Sequence, residues 1–194
     1  GTPGISDPGE ELVKIAYESG IEVTSLPGAA ACVTALTLSG LSTRRFAFEA
    51  FLPKDKKERK RILEELKQET RTIIIYEAPH HLIKTLEELR STLGDRPITL
   101  CRELTKRYEE AHRTTLDKVL IYYKDREPRG EYVLILGGKT KEEVEEERKK
   151  EWENLSIEEH MQLYEEKGIS HKEAMKLVAR DRGVSKRDIY QALI

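Results

Sequence analysis

Hydrophobic positions along this chain switch between strand spacing and helical spacing, which predicts an α/β fold with a mixed sheet. Strands are expected at IEVTSL (21–26), FAFEAF (46–51), RTIIIYEAP (71–79), PITLC (97–101) and GEYVLILGG (130–138). Ile73–Ile75 are consecutive and apolar, as in a strand buried on both faces. In FAFEAF, we expect Phe46, Phe48 and Ala50 to share one face.

Helices are expected between these strands, and each should bury one apolar stripe. The stripes are Leu12, Val13, Ile15 and Ala16; GAAACVTALTLSG (28–40); Ile62, Leu63 and Leu66; Leu82, Ile83, Leu86 and Leu89; and Val119, Leu120 and Tyr123. Gly20 should end the first helix, Pro79 should start the fourth, and Thr114 should cap the fifth in a T-x-x-D box. RELTKRYEEAHR (102–113) is expected to be a loop and a short strand.

The carboxy-terminal part has no strand signal. Residues 140–154 form a highly charged helical pattern, interpreted as a solvated connector. Residues 155–194 hold three helical segments separated by Gly168 and Gly183, in the order of a helix-turn-helix. Its expected core is Ala174, Leu177, Val178, Val184, Ile189, Tyr190 and Leu193. With 1–39 and 40–139 as two α/β parts, we predict four segments.

Composition narrows the class of protein. The chain has 194 residues, 38% hydrophobic and 36% charged, and a formal net charge of −2. No apolar run approaches the ~20 residues of a membrane span, so we expect no membrane partner. Cys32 and Cys101 lie among apolar residues and are interpreted as reduced core thiols of a cytoplasmic protein. The run KDKKERKR (54–61) forms a basic segment that a polyanion could contact.

The chain opens on GTPGISDPG, a glycine- and proline-rich turn of the kind that follows a strand. A strand is therefore expected before Gly1, and we interpret the chain as an amino-terminally truncated fragment.

Seven motifs occur in an order that resembles one family. They are GTPGISDPG, LPGAAA, SGL (39–41), FLPK (51–54), YEAPH (76–80), RELTK (102–106) and GEYVLILGG. Together they resemble the bacterial ribosomal RNA small subunit methyltransferase I family of the tetrapyrrole methylase superfamily. The resemblance implies S-adenosylmethionine as cofactor and methylation of a cytidine ribose 2′-OH of 16S rRNA in the small ribosomal subunit.

The family's architecture gives the segments a meaning. By resemblance, residues 1–39 are the remnant of an amino-terminal cofactor-binding α/β domain, 40–139 a second, tetrapyrrole-methylase-like α/β domain, and 155–194 a helix-turn-helix-like tail. The resemblance also implies a homodimer. With half of the cofactor cleft missing, we expect little or no activity from this chain alone.

Cofactor contacts are expected at the turns. Glycines let backbone amides approach a ligand, and small alanines leave room for adenosine. The resemblance implies cofactor contacts at Gly1, Thr2, Ile5, Gly28, Ala30, Ala31, Glu77, Gly130 and Glu131. The alternative is that these residues only make tight turns.

Methyl transfer depends on alignment, and a nearby acceptor or basic clamp would assist a ribose hydroxyl. Both YEAPHH and RELTK follow strands, so the catalytic candidates are Glu77, Glu103 and Lys106. The RNA-binding candidates are Lys54, Lys56, Lys57, His80, Arg102, Lys106, Lys186 and Arg187. No metal site is predicted. Each candidate also has a purely structural interpretation. Arg102 and Glu103 could form a structural ion pair, and His80 could cap its own helix. The basic run 54–61 could be a solvated helix face, and the three carboxy-terminal helices could be a packing module.

Three positions depart from the family's usual residues. The chain has Ala50 where the family has glycine, His81 where it has arginine after Pro-His, and Arg113-Thr114 where it has Arg-Gly. Two other functions stay open. One is a methylase of tetrapyrroles or other small molecules on the same fold. The other is a DNA-binding regulator whose α/β part senses a ligand.

Overall fold

The computed structural model describes residues 1–193 and contains five strands and nine α-helices in that range. The strands are β1 (Phe46–Phe51), β2 (Thr72–Glu77), β3 (Pro97–Arg102), β4 (Glu110–Thr115) and β5 (Tyr132–Leu136). The helices are α1 (Gly9–Glu18), α2 (Ala31–Ser39), α3 (Lys56–Leu66), α4 (Leu82–Leu93), α5 (Leu116–Tyr122), α6 (Lys141–Trp152), α7 (Ile157–Glu165), α8 (His171–Arg182) and α9 (Lys186–Ala192). A 3₁₀ turn, Pro79–His81, precedes α4.

One five-stranded sheet has the order β1-β2-β5-β3-β4. The β1–β2 pair is parallel, and the β2–β5, β5–β3 and β3–β4 pairs are antiparallel. Strands β1, β2 and β3 therefore run in one direction, with β4 and β5 opposed. The predicted α/β class with a mixed sheet is confirmed.

Two apolar layers cover the sheet, as alternating side chains require. On one face α3, α4 and α5 pack against Ile73, Ile75 and Leu134. On the other face α2 packs against Ile74 and Ile135. The two cysteines are buried in this second layer with free thiols, as predicted.

The predicted strand at 21–26 is wrong. Those residues form no strand, and Ile21 and Leu26 are 60% and 80% exposed. An alternating pattern makes a strand only where another strand offers unpaired backbone groups. Helix α1 forms as predicted, but its apolar stripe is not buried; Leu12 is 69% exposed.

A bulge overturns the predicted face of β1. The register shifts between Phe48 and Ala50, and Ala50 has a left-handed φ of 51°. Ala47 is the buried residue of this strand, while Phe46 is exposed. The extra residue in a bulge ends simple alternation, so residues on its two sides no longer share a face.

Two details near helix starts also differ from expectation. The cap of α5 is Thr115, which makes no side-chain cap bond, and Asp95 Oδ1 accepts the amide N–H of Asp117 at 2.8 Å. The T-x-x-D box at Thr114 is therefore wrong by one residue. In α4, Ile83 lies on the exposed side, whereas the other three predicted stripe residues are buried.

The chain divides into two compact units, Gly1–Lys139 and a second that begins at Thr140. Helix α2 belongs to the first unit through its packing on the sheet. The finer division into four segments stays a prediction. Its last segment ends at Ile194, which lies outside the described residues.

In the second unit, α6, α7 and α9 each begin with a reciprocal capping box. Its buried core is Met161, Ala174, Met175, Val178, Ala179 and Ile189. Three of the predicted core residues are in this set, and Leu177 and Leu193 are half-buried. The predictions for Val184 and Tyr190 are wrong, because these side chains are 43% and 56% exposed.

Candidate active site

The carboxyl ends of β1, β2 and β3 meet at one edge of the sheet, where α/β proteins place their ligands. Across this edge, Glu77 of β2 pairs with Tyr132 of β5, and Tyr132 pairs with Arg102 of β3. The segments YEAPHH and RELTK, 25 residues apart from Glu77 to Arg102, are thus brought to the same edge. This juxtaposition was expected from the strand ends alone.

Glu77 is a buried carboxylate with both oxygens engaged. Oε1 accepts the Ala78 N–H at 2.8 Å, and Oε2 accepts the Thr85 hydroxyl at 2.5 Å. As the antiparallel partner of Tyr132, whose side chain packs in the α3–α5 layer, Glu77 points to that face. The structure therefore separates its carboxylate from Ala30, which packs in the layer on the other face.

The sequence did not indicate the support beneath Glu77. Arg59 Nη2 donates to Thr85 Oγ1 at 2.7 Å, and Arg59 Nε donates to Glu88 Oε2 at 2.6 Å. These bonds tie α3 to α4 and to β2 through a continuous polar chain. Arg59 belongs to the basic run, in which nothing in the sequence distinguishes an inward-facing cation from its solvated neighbours.

Glu103, Lys106 and Glu131 form one ionic cluster. Lys106 Nζ lies 3.2 Å from Glu103 Oε1 and 3.0 Å from Glu131 Oε2. The backbone N–H of Glu131 donates to Glu103 Oε1 at 3.0 Å. This bond, followed by that from Lys106, lowers the pKa of Glu103, while Glu131 and then Glu103 raise the pKa of Lys106. Glu103 is therefore held ionised and Lys106 protonated.

Gly130 makes this cluster possible. A Cβ at Gly130 would lie 2.6 Å from Glu103 Cγ, and the glycine has a φ of 78°. Glu103 itself has a left-handed φ of 50°, a conformation that costs energy for a residue with a side chain. The loop thus places the Glu103 carboxylate directly against the glycine that opens β5.

Arg102 does not pair with Glu103. Its Nη2 lies 2.9 Å from Glu110 Oε2 across the β3–β4 pair, so the alternative ion pair considered from the sequence is wrong. Among the described residues, the buried Nε of Arg102 has no hydrogen-bond partner. The guanidinium therefore has an unused donor at the functional edge.

The two proline-glycine turns lie together beside the same edge. Thr2 N–H donates to Ala29 O at 2.8 Å, and a Cβ at Gly28 would lie 3.0 Å from Thr2 Oγ1. Helix α2 follows, and its Cys32 N–H donates to Tyr76 Oη at 3.0 Å, next to Glu77. Burial and the contact with Cys32 raise the pKa of Tyr76 to about 12, so this hydroxyl stays protonated.

The start of α2 suits a small anionic ligand. Its N-cap, Ala30, makes no side-chain cap bond and Tyr76 takes the Cys32 N–H, so the N–H groups of Ala31 and Val33 are the first-turn donors that no cap satisfies. Gly28, Ala29 and Ala31 are exposed and small. At the opposite end of α2, Arg113 donates from Nε to Leu38 O at 3.1 Å. Arg113 of β4 therefore anchors the end of this helix.

The basic residues predicted to bind RNA lie in different parts of the structure. Lys54 and His80 line one cleft, and Lys54 and Lys56 line a second, whereas Lys57 lines neither. The ring of His80 packs on that of His81 at 4.1 Å, and no side chain caps the 3₁₀ turn, so the capping alternative for His80 is wrong.

Lys186 and Arg187 begin α9 in the second unit and are exposed. Residues 155–193 carry seven basic and seven acidic side chains in total, but residues 170–193, which hold α8 and α9, carry six basic and three acidic ones. Among residues 1–193, no group of His, Cys, Asp and Glu side chains could hold a metal ion. In the same range, no helix is long and apolar enough to span a membrane.

Comparison with known proteins identifies the class first. A sequence model of the family described as Tetrapyrrole (Corrin/Porphyrin) Methylases matches residues 1–120. The crystal structure of the methyltransferase CobJ superimposes with a TM-score of 0.55 at 20% identity, over 71% of this chain and 62% of that one. Uroporphyrin-III C-methyl transferase from Thermus thermophilus, complexed with S-adenosyl homocysteine, gives 0.50 at 20% identity, over 71% and 62%. The first unit therefore has the tetrapyrrole methylase fold.

Three relatives named ribosomal RNA small subunit methyltransferase I then assign the chain to a family within this class. The Bacillus subtilis protein is 47% identical over 99% of this chain and 65% of its own length. The Halalkalibacterium halodurans protein is 49% identical over 98% and 65%, and the Synechocystis protein is 41% identical over 98% and 67%. The chain belongs to the ribosomal RNA small subunit methyltransferase I family. It spans about 65% of the length of the first two relatives.

Proposed function

We propose that this chain is part of an S-adenosylmethionine-dependent methyltransferase that modifies the 2′-OH of a cytidine ribose in 16S rRNA. The observation that carries the proposal is that the α2 amino terminus, bonded to Tyr76, and the Glu103–Lys106–Glu131 cluster both lie where the ends of β2, β5 and β3 meet, with the Glu77 carboxylate on the opposite face. The family relation supports rRNA as the substrate.

The cofactor fits the exposed start of α2. The uncapped N–H groups of this helix would receive the carboxylate of S-adenosylmethionine. Gly28, Ala30 and Ala31 would leave room for its adenosine, with Gly1, Thr2 and Ile5 beside them. When bound, the cofactor supplies the methyl group and its own leaving group. Gly130 and Glu131, which lie against Glu103 at the start of β5, would provide the remaining cofactor contacts.

The protein's chemical role is to orient the ribose. Glu103 is ionised and Lys106 protonated, so together they offer one acceptor and one donor at fixed positions. We assign Glu103 as the acceptor for the ribose hydroxyl and Lys106 as its electrostatic clamp. Glu77 has both oxygens engaged and would act by holding the loop that follows β2. Positioning of this kind supplies most of the rate in a displacement that needs alignment.

Partners and location follow from the family resemblance alone. The proposed substrate is 16S rRNA within the small ribosomal subunit, the proposed assembly is a homodimer, and the proposed location is the cytoplasm. The rRNA methyltransferase relatives favour this substrate over a tetrapyrrole. The same relatives are named as methyltransferases, which favours an enzyme over a DNA-binding regulator.

Calorimetric titration with S-adenosylhomocysteine tests the cofactor site. The chain and a version extended upstream of Gly1 would be compared, and we expect the extended version to bind and the chain alone to bind weakly or not at all. Transfer of labelled methyl groups to small ribosomal subunits by the extended version would then test the substrate. Absence of binding in both versions would overturn the proposal.

Glu103→Gln should lower methyl transfer by the extended version more than S-adenosylhomocysteine affinity, because its carboxylate faces the substrate hydroxyl. Glu109→Gln is the matched control, since Glu109 lies on the same loop outside the cluster and accepts the Thr105 N–H at 2.6 Å. Equal activities of the two variants would reject the role given to Glu103.

A further inference from the structure

A cleft of about 680 Å³ opens at the carboxyl ends of β1 and β2, beside the start of α4. We call it the Phe51 cleft; its charged and aromatic lining is Phe51, Lys54, Arg59, Glu77, His80, His81 and Lys84. A second cleft between α3 and α4 shares Lys54, Arg59 and Lys84 with it and adds two lysines, Lys56 and Lys60, and three acidic residues, Glu64, Glu87 and Glu88. The shared residues make the two clefts neighbours along one face.

Charge in the Phe51 cleft is mainly positive. Glu77 is its only acidic lining residue among residues 1–193, and both of its oxygens already accept hydrogen bonds. Arg59 is held against Glu88 and Thr85 and forms a fixed floor. Lys54 and Lys84 are exposed, and Lys84 Nζ makes a long contact of 4.0 Å with Glu88 Oε1, so both ammonium groups can reach a ligand. Neutralising a phosphate with such lysines gains affinity without reading sequence.

Aromatic surface accompanies this charge. Phe51 is 55% exposed, and its ring is fixed edge-on against Tyr76, with ring centroids 5.6 Å apart. The exposed rings of His80 and His81 lie on the same lining. An exposed, rigid ring beside mobile lysines is the combination that binds single-stranded nucleic acid, because an unpaired base stacks on the ring while phosphates meet the cations. A duplex keeps its bases stacked internally and cannot use the ring.

We propose that the Phe51 cleft binds a single-stranded segment of RNA, with one unstacked base on Phe51 and phosphates on Lys54 and Lys84. The choice of RNA rests on the proposed function. The neighbouring cleft also holds Glu64, Glu87 and Glu88, so the proposed phosphate contacts are confined to the Phe51 cleft. Of the basic run predicted from the sequence, Lys54 and Arg59 line the Phe51 cleft, whereas Lys57 lines neither cleft.

The phosphate contacts are tested with K54A/K84A and the charge-matched control K57A/K67A, whose lysines are exposed and line neither cleft. Affinity for a short single-stranded RNA of mixed sequence would be measured by fluorescence anisotropy over a salt series. Two lost contacts should reduce the salt slope by about 1.4, since each phosphate on a single strand contributes about 0.7. K54A/K84A should bind about tenfold more weakly than the control pair at low salt.

The base contact is tested separately with Phe51→Leu and Phe46→Leu. Phe46 is a similarly exposed ring at the other end of β1, outside both clefts. Phe51→Leu should weaken single-stranded RNA about fivefold, leave the salt slope unchanged, and leave duplex RNA unaffected. Equal affinities of the two phenylalanine variants, or tighter binding of duplex than of single strand, would overturn the proposal.

The same variants separate this inference from the proposed function. In the extended version, K54A/K84A should bind S-adenosylhomocysteine as well as the unaltered protein does. If the cofactor binds but RNA affinity is the same in K54A/K84A and K57A/K67A, the inference fails and the proposed function stands. If the RNA results are as expected but no version binds the cofactor, the proposed function fails and the cleft stands.

Discussion

Arg182 Nε donates a hydrogen bond to Nδ1 of His160 at 3.2 Å, in the core of the second unit. The imidazole is completely buried and stacks on Trp152, with ring centroids 4.9 Å apart and planes 9° from parallel. Because Nδ1 accepts a bond, the ring is neutral and its hydrogen is on Nε2. Nε2 lies 3.7 Å from Asp181 Oδ2 and has no hydrogen-bond partner among the described residues.

This arrangement predicts acid sensitivity of the second unit. Burial, followed by the charge of Arg182, lowers the pKa of His160, and Asp181 opposes the shift only partly. The unfolded chain therefore binds a proton more readily than the folded one. The stabilisation is complete above the unfolded pKa of about 6.5 and falls as pH drops below it.

Thermal unfolding between pH 8 and pH 5, followed by the fluorescence of the single tryptophan, would measure this effect. The midpoint should decrease below about pH 6.5, and His160→Phe should remove that decrease while keeping the ring stack. His171→Phe is the control, because His171 is exposed and pairs only with Glu165 in the described part of the chain. The same acid response in both variants would contradict the assignment.

Replacing Ala50 by glycine should stabilise the first unit. Its φ of 51° is a left-handed conformation that a Cβ disfavours and that glycine adopts readily. Ala50→Gly is expected to raise the free energy of unfolding of the first unit by about 0.5–1 kcal/mol in urea titrations. Ala47→Gly, in the same strand but buried and without positive φ, should instead lower it. Destabilisation by both substitutions would show that the bulge does not strain Ala50.

Gly130→Ala should displace Glu103. The substitution combines a φ of 78° with a Cβ 2.6 Å from Glu103 Cγ, whereas Gly20 has a φ of 70° with nothing within 4 Å of its Cβ position. Gly20→Ala thus carries the backbone strain without the clash, at about 1 kcal/mol. Gly130→Ala should cost at least about 1 kcal/mol more in urea unfolding. Equal losses would mean that Glu103 moves aside freely.

Thr85→Val should leave Glu77 and Arg59 without their shared partner. The hydroxyl donates to Glu77 and accepts from Arg59 at a completely buried position. Valine keeps the shape of threonine, so the expected loss of about 1–3 kcal/mol in unfolding free energy measures the broken polar chain. Thr85→Ser, which keeps the hydroxyl, should lose much less. Similar losses from both would assign the effect to packing.

The sequence predicts best those elements whose hydrophobic pattern fits only one kind of secondary structure and burial. Ile73–Ile75 must be buried on both faces, and β2 and β5 form as expected. The alternating pattern of residues 21–26 does not determine a strand in the same way. A half-buried strand also needs a neighbouring strand to pair with, and the pattern does not specify one. The β1 bulge takes Ala50 off the face that Phe46 and Phe48 share, and no side chain in FAFEAF marks it.

The candidate site shows the same division. Strand ends and turn glycines place the segments at a common edge, but the Glu103–Glu131 contact joins residues distant in sequence and depends on the positive φ of Glu103. The inward turn of Arg59 is hidden within a run of equivalent charges. His160 has no sequence signal either, since it stands among acidic residues and yet is buried.

The position of β5 bears on how the first unit is made. This strand is the last of the five in the chain but lies at the centre of the sheet, between β2 and β3. During synthesis from the amino end, the 62 residues between Ile73 and its strand partner Leu136 must be added before the two can pair. Until then the apolar edges of β2 and β3 are open to pairing with other chains. The sheet therefore cannot close before β5 has been made, and a chain that ends before residue 132 would leave the facing edges of β2 and β3 unpaired.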